Sequence, residues 1–207
     1  MSFKKNKYTI IRNAIDKDLA TFVANYFLMK KQVFDTCIKH RYISPYENMF
    51  GFYETKDEQV ENTYSCYSDI AMETLLLKCQ PEMEKVTGIK LYPAYSYARA
   101  YKKGDSLKRH TDRFSCEIST TMNLGGDDWP IYLEPSGKKG KKGVRVDLKP
   151  GDMLVYRGCE LEHWREKFKG KECVQVFLHY NDRKTLNAKD NMFDTRPHLG
   201  LPNWFRR

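Results

Sequence analysis

No two cysteines of this chain stand in CxxC spacing; the six occur singly at Cys37, Cys66, Cys79, Cys116, Cys159 and Cys173. Thiolate zinc sites and thioredoxin-type redox motifs need paired spacing, so neither is expected. Scattered thiols are the ordinary state of a reducing compartment, and reduced cysteines in a cytoplasmic protein are expected. Long apolar runs are also missing: no segment approaches the roughly 20 residues that a membrane-spanning helix needs. The first residues, Met1-Ser-Phe-Lys-Lys-Asn-Lys7, carry charge with no apolar stretch behind it, so neither a signal peptide nor a membrane partner is expected. There is no glycine-rich phosphate loop, no nucleophile elbow and no internal repeat.

What is present is ample material for a core. The chain has 207 residues, 14% of them aromatic, which argues against disorder and for one domain over 1–207. The formal net charge of +9 favours acidic partners, nucleic acid included, but does not specify one. Oligomeric state is not legible.

The order of elements is helix-rich first and β-rich after. Residues 8–11 read as a short strand, and Asp16 as the N-cap of a helix over about 17–34, with Leu19, Phe22, Val23, Tyr26 and Phe27 at helical spacing. Residues 38–67, rich in tyrosine and loop formers, read as an irregular layer or a cleft wall. Met72, Leu75, Leu76, Cys79, Met83 and Val86 mark a second helix over about 69–86, kinked or restarted at Pro81 and stopped at Gly88. From 89 onward come short β-rich runs at 91–101, 116–124, 130–134, 144–148, 152–156 and 173–180, separated by Gly, Pro and Asp turns. Two helices followed by many short strands suggest a mostly β, α+β protein: a jelly roll with helices packed on one sheet. The expected division is 1–88 as helical support, 89–180 as the β core and 181–207 as a tail that folds back or stays loose.

The chemistry concentrates in three residues. His110 and Asp112 are separated by one residue after a strand and a Gly-containing turn, so an extended backbone points both side chains the same way. His163 follows another strand-like run, Gly151-Asp-Met-Leu-Val-Tyr156. Two imidazoles and a carboxylate are the set that holds non-haem Fe(II) on one face and leaves the other open. A His-x-Asp alone is weak and also fits a surface turn or an ion pair. In this strand context the pattern resembles the 2-oxoglutarate- and Fe(II)-dependent oxygenases, in the prolyl 4-hydroxylase-like branch, over about residues 90–180.

That resemblance implies a double-stranded β-helix core, with His110, Asp112 and His163 as metal ligands and as the catalytic centre. It implies Fe(II), 2-oxoglutarate and O2 as cofactor and cosubstrates, and it allows ascorbate. It further implies a cation for the far carboxylate of 2-oxoglutarate: Lys171 fits first, on a shared face with Cys173, Gln175 and Phe177, then Arg165, then Arg99. Tyr101 and Thr121 are the expected hydrogen-bonding residues of the same pocket. The implied reaction is hydroxylation of an unactivated C–H bond on a peptidyl or free proline-like substrate, with succinate and CO2 released. Two rivals stay open: an oxygenase of modified nucleobases, for which the basic surface argues, and a non-catalytic jelly-roll binding protein. The run Gly137-Lys-Lys-Gly-Lys-Lys-Gly143 reads as a hairpin tip, either solubilising or in contact with phosphates or an acidic polypeptide. His179 reads as a hydrogen-bonded packing residue, and Trp164 as core or as a shield for the metal.

Overall fold

The computed structural model describes residues 3–44, 46–55, 59–138 and 140–206; residues 45 and 56–58 of the 38–67 stretch and Lys139 of the basic run lie outside them. The chain begins with one helical turn, α1 (Phe3–Asn6), and an edge strand, β1 (Tyr8–Ile11). The long helix α2 (Lys17–Lys39) starts where expected, with the Asp16 carboxylate accepting from the Leu19 N–H at 2.8 Å, and runs five residues past the expected end. Two short strands inside the tyrosine-rich stretch, β2 (Phe52–Tyr53) and β3 (Tyr64–Tyr67), add to the main sheet.

Helix α3 (Ile70–Thr87) is capped by Asp69, which accepts from the N–H groups of Ala71 and Met72. It ends at Gly88 in the left-handed region, φ 69°, a conformation that glycine adopts without steric cost. Pro81 sits within this helix without ending it. Its ring lacks the donor that would pair with the Leu77 carbonyl, and Leu77 is half exposed.

The β core follows: β4 (Leu91–Lys102), β5 (Leu107–His110), β6 (Ile118–Gly126), β7 (Ile131–Leu133), β8 (Val144–Val146), β9 (Met153–Arg157), β10 (His163–Arg165) and β11 (Glu172–Asp182). They form a seven-stranded sheet in the order β1-β9-β6-β11-β4-β3-β2 and a four-stranded sheet in the order β5-β10-β7-β8. All pairings are antiparallel. This is a jelly roll, the double-stranded β-helix.

Strand alternation sorts the large sheet into two faces. In β11, Val174, Val176, Leu178 and Tyr180 join the cluster with Val23, Ala24 and Phe27 of α2 and Leu75, Leu76 and Met83 of α3. The intervening Cys173, Gln175, Phe177 and His179 therefore point inward, toward the smaller sheet. Strand β4 divides the same way: Ala98 and Ala100 lie in the helix-side cluster, while Tyr97, Arg99 and Tyr101 line a cleft. In the tail the backbone turns left-handed at 193–195, and Arg196 is wholly buried. No helix among the described residues is long and apolar enough to cross a membrane.

Candidate metal centre and cosubstrate pocket

His110 is the last residue of β5 and His163 the first of β10, and the two are direct cross-strand partners in the smaller sheet. Their rings lie 4.2 Å apart. Asp112 follows β5 by two residues, its N–H bound to the Gly158 carbonyl at 2.9 Å. Asp112 Oδ1 is 3.5 Å from His110 Nε2 and 3.4 Å from His163 Nε2. Each imidazole engages, through Nδ1, a carbonyl two residues earlier: His110 with Lys108 at 2.8 Å, His163 with Leu161 at 3.0 Å. A carbonyl only accepts, so each ring donates from Nδ1 and presents Nε2 to Asp112. This is how a neutral histidine ligand is usually oriented.

The carboxylate is held from behind. Ser119 Oγ donates to Asp112 Oδ2 at 2.9 Å or to the Cys116 carbonyl at 2.7 Å, and meets His179 Nδ1 at 3.0 Å. Gly158 packs so closely that a Cβ there would collide with Asp112 Oδ2 and Ser119 Oγ. Burial works against the Asp112 charge, but His163 and His110 outweigh it and hold the carboxyl well below its ordinary range. Burial likewise opposes charge on His163, and Asp112 overcomes it, raising that imidazole. Burial alone dominates at His179, lowered to about 4. Three donors converging from one side are the pattern of a facial metal site.

A cleft of about 530 Å³ opens beside this corner, lined by Tyr95, Tyr97, Arg99, Tyr101, Tyr156 and Phe177 among others. Arg165 on β10 is 2% exposed and, like Thr121, is not part of the cleft lining. Its guanidinium donates to the Trp129 carbonyl, to Thr121 Oγ1 at 3.2 Å and to Gln175 Oε1 at 3.3 Å, and its face lies 5.0 Å from the Trp129 ring. Its Nε has no partner, and among the described residues no carboxylate pairs with it. Burial pulls its pKa down. A desolvated cation held only by neutral acceptors favours an anionic ligand. Tyr101 stands edge-on to Trp129 at 4.8 Å, and burial lifts its hydroxyl to about 12.

Lys171 is elsewhere. It is exposed, one residue before β11, with its backbone N–H bound to Asp127 at 2.6 Å. The inward face expected for it begins at Cys173. Trp164 lies outside the cleft lining, stacked on Tyr132 at 5.5 Å and under the Arg109 guanidinium at 3.5 Å. Gly158, Trp129 and Tyr156 were not singled out by sequence reasoning. Gly158 follows a strand directly, a weak hint of close approach, and the other two carry no local signal.

No protein-family model matches this sequence, and no curated protein matches it. Solved structures do. A prolyl 4-hydroxylase from Pseudomonas putida superimposes with a TM-score of 0.58 at 14% identity, over 87% of this chain and 95% of that one. The fold is that of the 2-oxoglutarate/Fe(II) oxygenases. A 2OG-Fe(II) oxygenase family oxidoreductase from Burkholderia pseudomallei matches at 0.58 and 12% identity, over 88% of this chain and 91% of that one. HygX from Streptomyces hygroscopicus, solved with nickel and 2-oxoglutarate bound, matches at 0.56 and 13%, over 90% and 89%. In this chain the oxygenase fold brings His110, Asp112 and His163 to the adjoining ends of β5 and β10.

Proposed function

We propose that this protein is a 2-oxoglutarate- and Fe(II)-dependent dioxygenase that hydroxylates an unactivated C–H bond. The observation that carries the reading is the convergence of both Nε2 atoms on Asp112 Oδ1 at 3.4 and 3.5 Å, with each Nδ1 already engaged by a carbonyl. The donor set fits the ion: two neutral imidazoles and one carboxylate suit Fe(II), and one-sided ligation leaves adjacent positions for a chelating cosubstrate. His110, Asp112 and His163 would hold the metal. Arg165, with Thr121 and Tyr101 beside it, would take the far carboxylate of 2-oxoglutarate; its unpartnered Nε supports this. When bound, iron and 2-oxoglutarate reduce O2 and supply the oxidising equivalent, with succinate and CO2 released. The protein's part is positional. Ser119 and Gly158 fix the carboxylate, the Leu161 and Lys108 carbonyls fix the rings, and the tyrosines and Phe177 wall the site from water.

A peptidyl or free proline-like substrate is the leading class, supported by the likeness to a prolyl 4-hydroxylase and by a cleft walled by Tyr95, Tyr97 and Phe177, open enough for a chain segment. The test is an anaerobic titration of Fe(II) into protein with 2-oxoglutarate, followed by the visible charge-transfer band of the chelate. Wild type should develop the band and Asp112→Ala should not; equal behaviour of the two sinks the reading and leaves a binding protein. Succinate release should then rise with prolyl peptides or free proline. Stimulation by single-stranded DNA instead would move the substrate to a nucleobase.

A further inference from the structure

The C-terminal segment carries a feature that the metal centre as described does not use. Phe193, Asp194 and Thr195 are three consecutive non-glycine residues in the left-handed region, with φ of 59°, 55° and 66°. L-residues adopt this conformation rarely, and almost never in a run. Something must hold it, and the contacts of Asp194 identify what. Asp194 is 4% exposed. It accepts both terminal N–H groups of Arg113 at 2.8 Å, the Ser115 hydroxyl at 2.6 Å and the Tyr67 hydroxyl at 2.7 Å.

Arg113 and Ser115 belong to the turn that leads from Asp112 into the 3-10 turn Phe114–Cys116 and then β6. Asp194 thus grips both ends of the three residues directly after a candidate metal ligand. Its neighbours grip the rest: Asn181 Nδ2 donates to the Phe114 carbonyl at 2.8 Å, and Asn191 Nδ2 donates to Asn181 Oδ1 at 2.7 Å. Arg113 is extended at φ −78°, ψ 167°, and its guanidinium lies 4.7 Å from the Tyr95 ring at the cleft. Fixing this side chain fixes the peptide between 112 and 113, and with it the direction of the Asp112 carboxylate.

We propose that Asp194 is a positioning residue for the metal corner, so that the C-terminal segment is part of the active site. It acts through Arg113 and Ser115 and touches neither metal nor substrate. This rests on the oxygenase reading only for the presence of a metal at His110, Asp112 and His163.

The experiment titrates Co(II) into the full chain anaerobically and reads its visible absorption, a probe of ligand geometry, for wild type, Asp194→Asn, Arg113→Lys and the double variant. Thermal unfolding is recorded for each. Asp194→Asn and Arg113→Lys should each weaken Co(II) binding roughly tenfold, the lower end for a partner that orients a ligand. Both should alter the absorption at temperatures where the protein is folded. The double variant should be worse than either single one by less than the sum of the two, because the Arg113–Asp194 link is common to both. Arg113 is half exposed, so its lysine variant tests the inference even if Asp194→Asn does not fold. Unchanged affinity and spectrum in Arg113→Lys, or additive losses in the double variant, overturn it. Failure of wild type to bind Co(II) is a different result: it removes the oxygenase reading, and this inference with it.

Discussion

Of the three candidate cations, Arg165 and Arg99 face inward and Lys171 does not. Lys171 and Arg165 both fit the sequence pattern for a carboxylate partner, but solvation separates them. Lys171 keeps its water; Arg165 has exchanged water for three neutral oxygens and a ring face. Arg165→Met should therefore weaken 2-oxoglutarate binding by roughly 10- to 100-fold, the worth of lost charge-assisted hydrogen bonds. Lys171→Ala should leave it unchanged. Calorimetric titration of the Mn(II)-loaded protein reads both, and the opposite order would return the role to Lys171. Gly158→Ala tests the metal corner on its other side. The added methyl would meet Asp112 Oδ2, Ser119 Oγ and the Cys116 carbonyl, so metal affinity should fall, and stability with it because one of the three is backbone. The types and spacing of the candidate ligands His110 and Asp112 were legible because i and i+2 share a face in any extended segment. Gly158 was not, because its role is a void that a carboxylate from another segment fills.

Helices α2 and α3 follow local rules closely. Asp16 and Asp69 cap them, Gly88 ends the second, and the apolar stripes face the sheet, except that Phe22, expected in the first stripe, is 70% exposed. Asp69 carries a second load: beyond the cap it pairs with Lys30 at 2.5 Å and accepts from the Tyr26 hydroxyl at 2.7 Å, tying α3 to α2. Asp69→Ala should cost more than an ordinary cap, about 2 kcal/mol or above, since cap loss alone runs about 1 kcal/mol and a mostly buried ammonium loses its partner. Urea unfolding at pH 7 measures it; a loss below about 0.5 kcal/mol would mean the link between helices contributes nothing. The elements that sequence reading passed over are the short ones. β5 and β10 have only four and three residues and include Lys108, Arg109 and Arg165. Nothing local marks them as strands; their partners across the sheet do. They are also the strands that carry His110 and His163.

At the scale of the molecule, the smaller sheet closes over the inward face of the larger one and buries titratable groups that the helices leave alone. That sets an acid response with two stages. His179 is depressed to about 4 from an ordinary value near 6.5, first by burial, so the unfolded chain takes up its proton sooner than the folded one. Stability from this group is complete above about pH 6.5 and is lost as pH falls toward 4. Asp194 and Glu84 act lower. Burial opposes both charges. The Arg113 and Ser115 hydrogen bonds hold Asp194 well down, and the Leu91 N–H, Lys90 and Gln80 bring Glu84 to about 2. Their contributions are present above the unfolded carboxylate range and vanish as pH falls through the lowered folded values. The urea midpoint should decline from pH 6.5 to 4 and again below 4, and His179→Asn should flatten the first stage. A midpoint constant from pH 7 to 4 in wild type would contradict this account.

Alternation in β4, β6 and β11, the caps of two helices and the His-x-Asp corner are properties of neighbours along the chain, so the residues alone determined a helix-backed jelly roll and a candidate metal-ligand set. Which cation is desolvated, which short segments become strands and how a strained tail reaches the turn after Asp112 depend on atoms far apart in sequence. Tertiary structure decided those, because burial and cross-strand pairing exist only once distant segments have met.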